Sequence, residues 1–249
     1  MPPPKIIRSR RKTIALIVQA DGRLIVRAPK RVTNRRIAEI VEEKAEWIRS
    51  RQASALAHPQ PEAHQFASGE RFWYLGSVYP VWVTEGKQDR LELAGGQFRL
   101  AVCISMAADG GRGGASPLRD AVGKGSGQEA RRKERAQALF TAWYRRQARQ
   151  VLEERVARLA QQCGFSYRQV KITSAHTRWG SCSGRGTLSF PWRLVMAPLA
   201  VIDYVVVHEL VHTVIKGHGP DFWGRVQALM PGYRQHVQWL KENGTMLEI

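Results

Sequence analysis

One stretch, "LAVIDYVVVHELVHTVIKGHGPDFW" from Leu199 to Trp223, constrains this chain more than any other. Its first part is almost wholly apolar and must be buried on nearly every side, yet it carries His208, Glu209 and His212. Burying imidazole and carboxylate is unfavourable unless a partner satisfies them. On a helix of about 100° per residue, His208 and His212 stand one turn apart on one face, while Glu209 lies about 60–100° round from the pair. The two histidines can therefore aim ring nitrogens at one ion ~2.0–2.1 Å away. Glu209 is too far aside to be a ligand, but it can reach a water on that ion. The periodicity predicts a helix over 199–216, with Gly217 as its terminator and Pro220 in the first turn of the next helix. His218 falls in the intervening turn, placed to fold back as a third ligand. Three protein ligands with an open fourth position are the pattern of a catalytic ion, and imidazole donors favour Zn2+. Glu209 is then the expected general base, taking a proton from the attacking water.

The 249 residues suffice for one large domain or two small ones. There is no apolar run of ~20 residues, so no membrane-spanning helix is expected. The N-terminus "MPPPKIIRSRRKT" lacks the apolar centre of a secretory signal, which makes the cytoplasm the expected location. Cys103, Cys163 and Cys182 are scattered and read as reduced thiols. The net charge of +18 favours polyanions, so nucleic acid is a candidate partner through a basic surface.

Two strands, 14–18 and 24–26, flank an Asp-Gly turn at Asp21-Gly22. A helix follows with Thr33 as its cap and Ile37, Ile40, Val41, Ala45 and Ile48 at helical spacing. From Arg71 to Val102 the aromatic and β-branched pattern is strand-like. The Gly-rich stretch 107–128 reads as a linker, dividing a basic, β-rich part (1–106) from a helical part (129–249). The second part opens with a long helix over 129–163, stopped by Gly164. A strand, a Gly/Ser turn and a second strand ending at Pro198 lead into the histidine-bearing helix, and helices over 220–230 and 233–243 close the chain. The fold class expected from this order is α+β, with the active-site helix packed on a mixed or antiparallel sheet.

With these residues in hand, the chain resembles the YgjP-like metallopeptidases, relatives of the SprT and Wss-type zinc proteases. The resemblance lies in "HELVH" followed by His218 and "DFW", in "RWGSCS" and "LSFPWRLVMAP" ahead of it, and in "MPGYRQHVQWLKENG" behind it. It extends upstream to "RRKTIALIV", "LIVRAP" and "EKAEWIRSR", sparing only the Gly-rich stretch. It implies a zincin-like hydrolase with His208, His212 and His218 as ligands and Glu209 as base. Two positions depart from the family pattern, Val211 and Pro191, and Pro191 cannot donate an amide to a substrate. The metzincin pattern requires glycine three residues after the second histidine, and here that position is Ile215.

Around this centre, Arg178, Trp179 and His176 are the candidates for substrate contact, with Arg178 suited to a developing oxyanion. Core packing is the more ordinary role for Trp179 and Trp192. Asp203 and Asp221 flank the ligands and are candidates to orient an imidazole. Hydrolysis of a protein or peptide is the expected activity. The alternatives are a metal-dependent hydrolase of nucleotide phosphoanhydrides and a protease acting at bound DNA.

Overall fold

The computed structural model describes residues 4–10, 13–19, 21–57, 63–103 and 121–249, with the backbone alone for 54, 56, 57 and 121–126. Among these residues it holds six α-helices and three mixed sheets, divided between two compact units, Met1–Glu62 and Ala63–Ile249.

The first unit contains strands β1 (Lys5–Ser9), β2 (Ala15–Val18) and β3 (Leu24–Pro29), then helices α1 (Asn34–Glu43) and α2 (Ala45–Ala57). The expected hairpin forms: β2 runs antiparallel to β3, and Gly22 adopts φ +78° in the turn, where Asp21 Oδ1 accepts from the Arg23 amide at 2.9 Å. Strand β1, which the basic N-terminal composition concealed, pairs parallel with β3 and makes it central. Thr33 caps α1, its hydroxyl accepting from the Arg36 amide at 3.2 Å. The expected single helix is two, meeting at Lys44. Ile37 and Ile48 close this small core over Leu24, Val26 and Ala28, the inward face of β3.

The second unit begins with β4 (Arg71–Tyr74), β5 (Ser77–Glu85), β6 (Arg90–Ala94) and β7 (Gln97–Val102), ordered β4-β5-β7-β6. Helix α3 (Ala121–Cys163) follows, stopped at Gly164, which adopts φ +72°. The helix already runs through 121–128, so the last part of the expected linker is helical, while 107–120 lies outside the described residues. The division between units falls at Glu62, not at the Gly-rich stretch. The physical reason is aromatic: Phe72 of β4 stacks on Phe140 of α3 at 4.2 Å, and Phe98 of β7 meets Trp143 edge-on at 4.9 Å. Strands β4–β7 thus share one core with the helices that follow.

Strands β8 (Gln169–Thr173), β9 (Ser181–Cys182) and β10 (Thr187–Pro191) form the third sheet, ordered β8-β10-β9, with β10 parallel to β8 and antiparallel to β9. The expected strand to Pro198 stops at Pro191, and Trp192–Met196 is a 3-10 helix instead. That turn is buried through Trp192, Leu194, Val195 and Met196, and its carbonyls at Val195 and Met196 accept from the amides of Leu75 and Gly76, at 2.8 and 3.1 Å. Gly76, at φ +80°, lies so close to Pro198 that a Cβ there would stand 2.8 Å from the proline Cα. The β4–β5 hairpin therefore braces the start of the next helix.

Helix α4 (Leu199–Val211) forms despite its β-branched run Val205–Val207, because burial outweighs weak intrinsic helix propensity. It packs against α3, α5 (Pro220–Leu229), α6 (Tyr233–Asn243) and β9. Asp203 is consumed in this packing: Arg155 of α3 donates Nε to its Oδ1 at 2.6 Å and Nη2 to its Oδ2, with Arg158 Nη2 3.6 Å away. No described helix is long and apolar enough to cross a membrane.

Candidate metal centre

Helix α4 ends a turn earlier than its periodicity predicts, with His212 as its C-cap. The Thr213 and Val214 amides donate to the carbonyls of Leu210 and Val211, three residues back, at 2.9 and 3.1 Å, and this tightens the exit. Gly217 then takes φ +82° and the chain reverses. This early exit is what brings His218 back over the helix.

The three imidazoles converge as the spacing requires. His218 Nε2 lies 3.1 Å from His208 Nε2 and 3.1 Å from His212 Nε2. Three ring nitrogens at such distances, with no acid between them, satisfy no ordinary hydrogen-bond pattern beyond one proton. They fit a tetrahedral ion with three nitrogen donors. His212 is oriented for this by its own backbone, because Nδ1–H donates to the Ile215 carbonyl at 3.1 Å, leaving the Nε2 lone pair free to ligate. Burial, with the neighbouring histidines adding to it, holds His208 down at about 4, and burial also lowers His212. Both rings are thus kept neutral, the form a metal needs. His208 Nδ1 is buried and lacks a partner among the described residues. Asp203 does not supply one, being tied to α3, and Asp221 sits in the first turn of α5, where it suits the helix dipole.

Glu209 is the buried charged residue of this core, 4% exposed. Burial raises its carboxyl to about 7, against the opposing charge of Arg178. Its Oε2 has no hydrogen-bond partner among the described residues. A buried carboxylate oxygen without a partner, on the residue next to His208 in the chain, is a costly arrangement for structure alone.

The loop ahead of β9 distributes the other candidates. Arg178 is exposed, within electrostatic reach of Glu209. Trp179 is half-buried and packs on Gly244 of the C-terminal segment, where a glycine Cβ would stand 3.0 Å from the indole ring. His176 is exposed, with Nδ1 3.3 Å from Glu248 Oε1. Trp192 is core, 2% exposed. Burial raises the Cys182 thiol, which disfavours a nucleophilic thiolate.

Sequence reasoning missed Phe222. Its fully buried ring stacks on His212 at 4.4 Å and meets His208 and His218 edge-on, each at 4.8 Å. One aromatic floor thus fixes all three imidazole planes, and Trp223 and Tyr233 extend it by stacking at 5.4 Å. The "DFW" that closes the motif is the signal, since it sets an aromatic ring four residues after His218, in the first turn of α5, where the ring can turn back onto the histidines. Phe222→Leu, which keeps most of the apolar volume, is expected to weaken metal binding about tenfold, by analogy with the loss of other ligand-orienting contacts. Competition against a chromophoric chelator measures this directly.

Fold and site together define a mixed helix-and-sheet protein with a three-histidine candidate metal centre. The chain belongs to the YgjP-like metallopeptidase domain family, whose sequence model matches residues 12–112 and 114–243. This family implies a metal ion, in keeping with the histidine triad. The crystal structure of the metallopeptidase zymogen of Pyrococcus abyssi abylysin is similar over 36% of this chain and 90% of that one, at 19% identity and a TM-score of 0.33. No curated protein matches the chain.

Proposed function

We propose that the chain is a zinc-dependent peptidase of zincin-like arrangement, in which α4 carries two ligands and the general base. The observation that carries this reading is the convergence of the His208, His212 and His218 Nε2 atoms, with the buried Glu209, its Oε2 unpartnered among the described residues, following His208 on the same helix. Zinc, when bound by these three residues, supplies a Lewis acid that makes water acidic near neutral pH and polarises a carbonyl. The residues of the chain do the rest. Glu209, with a carboxyl that titrates near neutrality because it is buried, accepts a proton from the attacking water and returns it to the leaving amine. The neutral imidazoles, held on Phe222, keep their lone pairs in one place. Arg178 places positive charge beside the same carboxylate, where it suits the oxyanion that forms as the carbonyl is attacked.

The substrate on this reading is a protein or peptide. Residues 1–62 carry 14 Lys+Arg against 6 Asp+Glu, a net +8 of the chain's +18 in a much shorter stretch than the rest, so positive charge is densest in the first unit and suits an anionic partner. The experiment is to strip metal with a chelator, restore zinc, and follow cleavage of an unstructured protein and of nucleoside triphosphates, each with and without duplex DNA. Zinc-restored proteolysis is the expected result. Triphosphate cleavage without proteolysis moves the assignment to a phosphoanhydride hydrolase. Proteolysis that appears only with DNA moves it to a DNA-associated protease.

A further inference from the structure

We propose that Gly180 is the seat of the Glu209 carboxylate, a positioning residue for the base. The inference rests on the peptidase reading above and concerns the residue on which its base depends. A Cβ built on Gly180 would stand 2.4 Å from Glu209 Oε1, 2.6 Å from its Cγ and 2.8 Å from its Cδ. All three distances lie well inside van der Waals contact, so the glutamate side chain lies flat on the glycine backbone. The glycine is not there for its conformation: its φ is not among the positive values, and alanine suits the backbone as it stands. It is there because only a hydrogen fits.

The loop cannot step back to make room. On one side, the Trp179 indole is wedged against Gly244, again at a distance that leaves no space for a side chain. On the other, Ser181 enters β9 in register with Ser189 of β10. The helix that carries Glu209 cannot retreat either, being buried and packed against β9 and three other helices, which leaves only the side chain to move. Any side chain at 180 therefore displaces the carboxyl group itself. Gly184, in the turn just beyond β9, is the natural control: it too avoids positive φ, and nothing lies within 4 Å of its Cβ position.

The test uses the full-length protein loaded with zinc, assayed for cleavage of an unstructured protein, and the metal-free protein followed by urea unfolding. Gly180→Ala is expected to bind zinc as wild type does while kcat falls about 100-fold, the scale of an ångström-level misplacement of a catalytic group. KM should stay within threefold and Gly184→Ala within twofold of wild type in kcat, on the scale of unaltered packing. In the Glu209→Gln background Gly180→Ala should lower the residual rate no further. In urea, Gly180→Ala should lower the unfolding midpoint of the wild-type protein but not of Glu209→Ala, where the space is open. A variant that folds only in the Glu209→Ala background supports the proposal equally. Near-wild-type kcat for Gly180→Ala, or an equal loss of stability with and without the Glu209 side chain, overturns it. If wild type loaded with zinc cleaves no protein, the peptidase reading fails, and the urea comparison still decides whether Gly180 seats Glu209.

Discussion

Glu209→Gln is expected to keep its zinc, to lose peptide hydrolysis by about 10²–10⁴-fold, and to make the metal-free protein more stable at pH 8. The first two effects follow from an amide that fills the same space and cannot accept the proton. The third follows from linkage. Burial raises the Glu209 carboxyl from 4.5 to about 7 in the folded chain. The folded state therefore holds this proton more tightly than the unfolded state, and stability falls as pH rises from the unfolded value through the folded one. Above that window the ionised carboxylate costs up to about 3 kcal/mol, given ~1.4 kcal/mol for each pKa unit. Glutamine is never ionised, so the difference between variant and wild type should approach zero near pH 4.5 and reach its maximum by pH 8. Paired urea titrations of metal-free protein at the two pH values measure it. A wild type that is as stable as Glu209→Gln at pH 8 would show that the carboxylate is satisfied in solution, and the acid–base assignment would lose its electrostatic support.

The second large effect is expected from His212→Ala, which should abolish stoichiometric zinc binding and hydrolysis together while leaving the fold intact. His212 stands at the C-cap of α4, at the edge of the buried segment, and its ring packs on Phe222. Its removal therefore takes away one of three donors without opening the centre of the core. Three nitrogen donors give a tetrahedral site with one open position, and two hold zinc far more weakly. Metal analysis after gel filtration, with far-ultraviolet circular dichroism as the fold control, distinguishes this from unfolding. Retention of a full equivalent of zinc would show that the ion is held elsewhere.

The two variants separate what the histidines do from what the glutamate does. The first is expected to keep the metal and lose the chemistry, the second to lose both. A metal with a purely structural task would make Glu209→Gln silent in hydrolysis and His212→Ala severe in stability.

Much of the centre was legible in the sequence because its signal is local. His208 and His212 are one helical turn apart whatever else the chain does, and the helix face they share follows from 3.6 residues per turn. Gly217 and Pro220 mark a reversal and a restart, so the return of His218 also followed from short-range chemistry. The apolar composition of 199–211 told of its burial, and the Asp-Gly turn and the Thr33 cap were equally local. The features that escaped depend on partners distant in the chain. Strand β1 exists because β3 offers it a parallel edge, and the unit boundary at Glu62 because Phe72 and Phe98 find Phe140 and Trp143 across the Gly-rich stretch. Asp203 looked like an orienting carboxylate by its place in the helix, but Arg155, 48 residues earlier, claims it. The early end of α4, the aromatic floor at Phe222 and the glycine under Glu209 belong to the same class. Sequence spacing alone determined which atoms can face one ion. Tertiary packing decided how tightly they are held and what lies against the base, because a contact between residues far apart in the chain leaves no periodic trace in either segment.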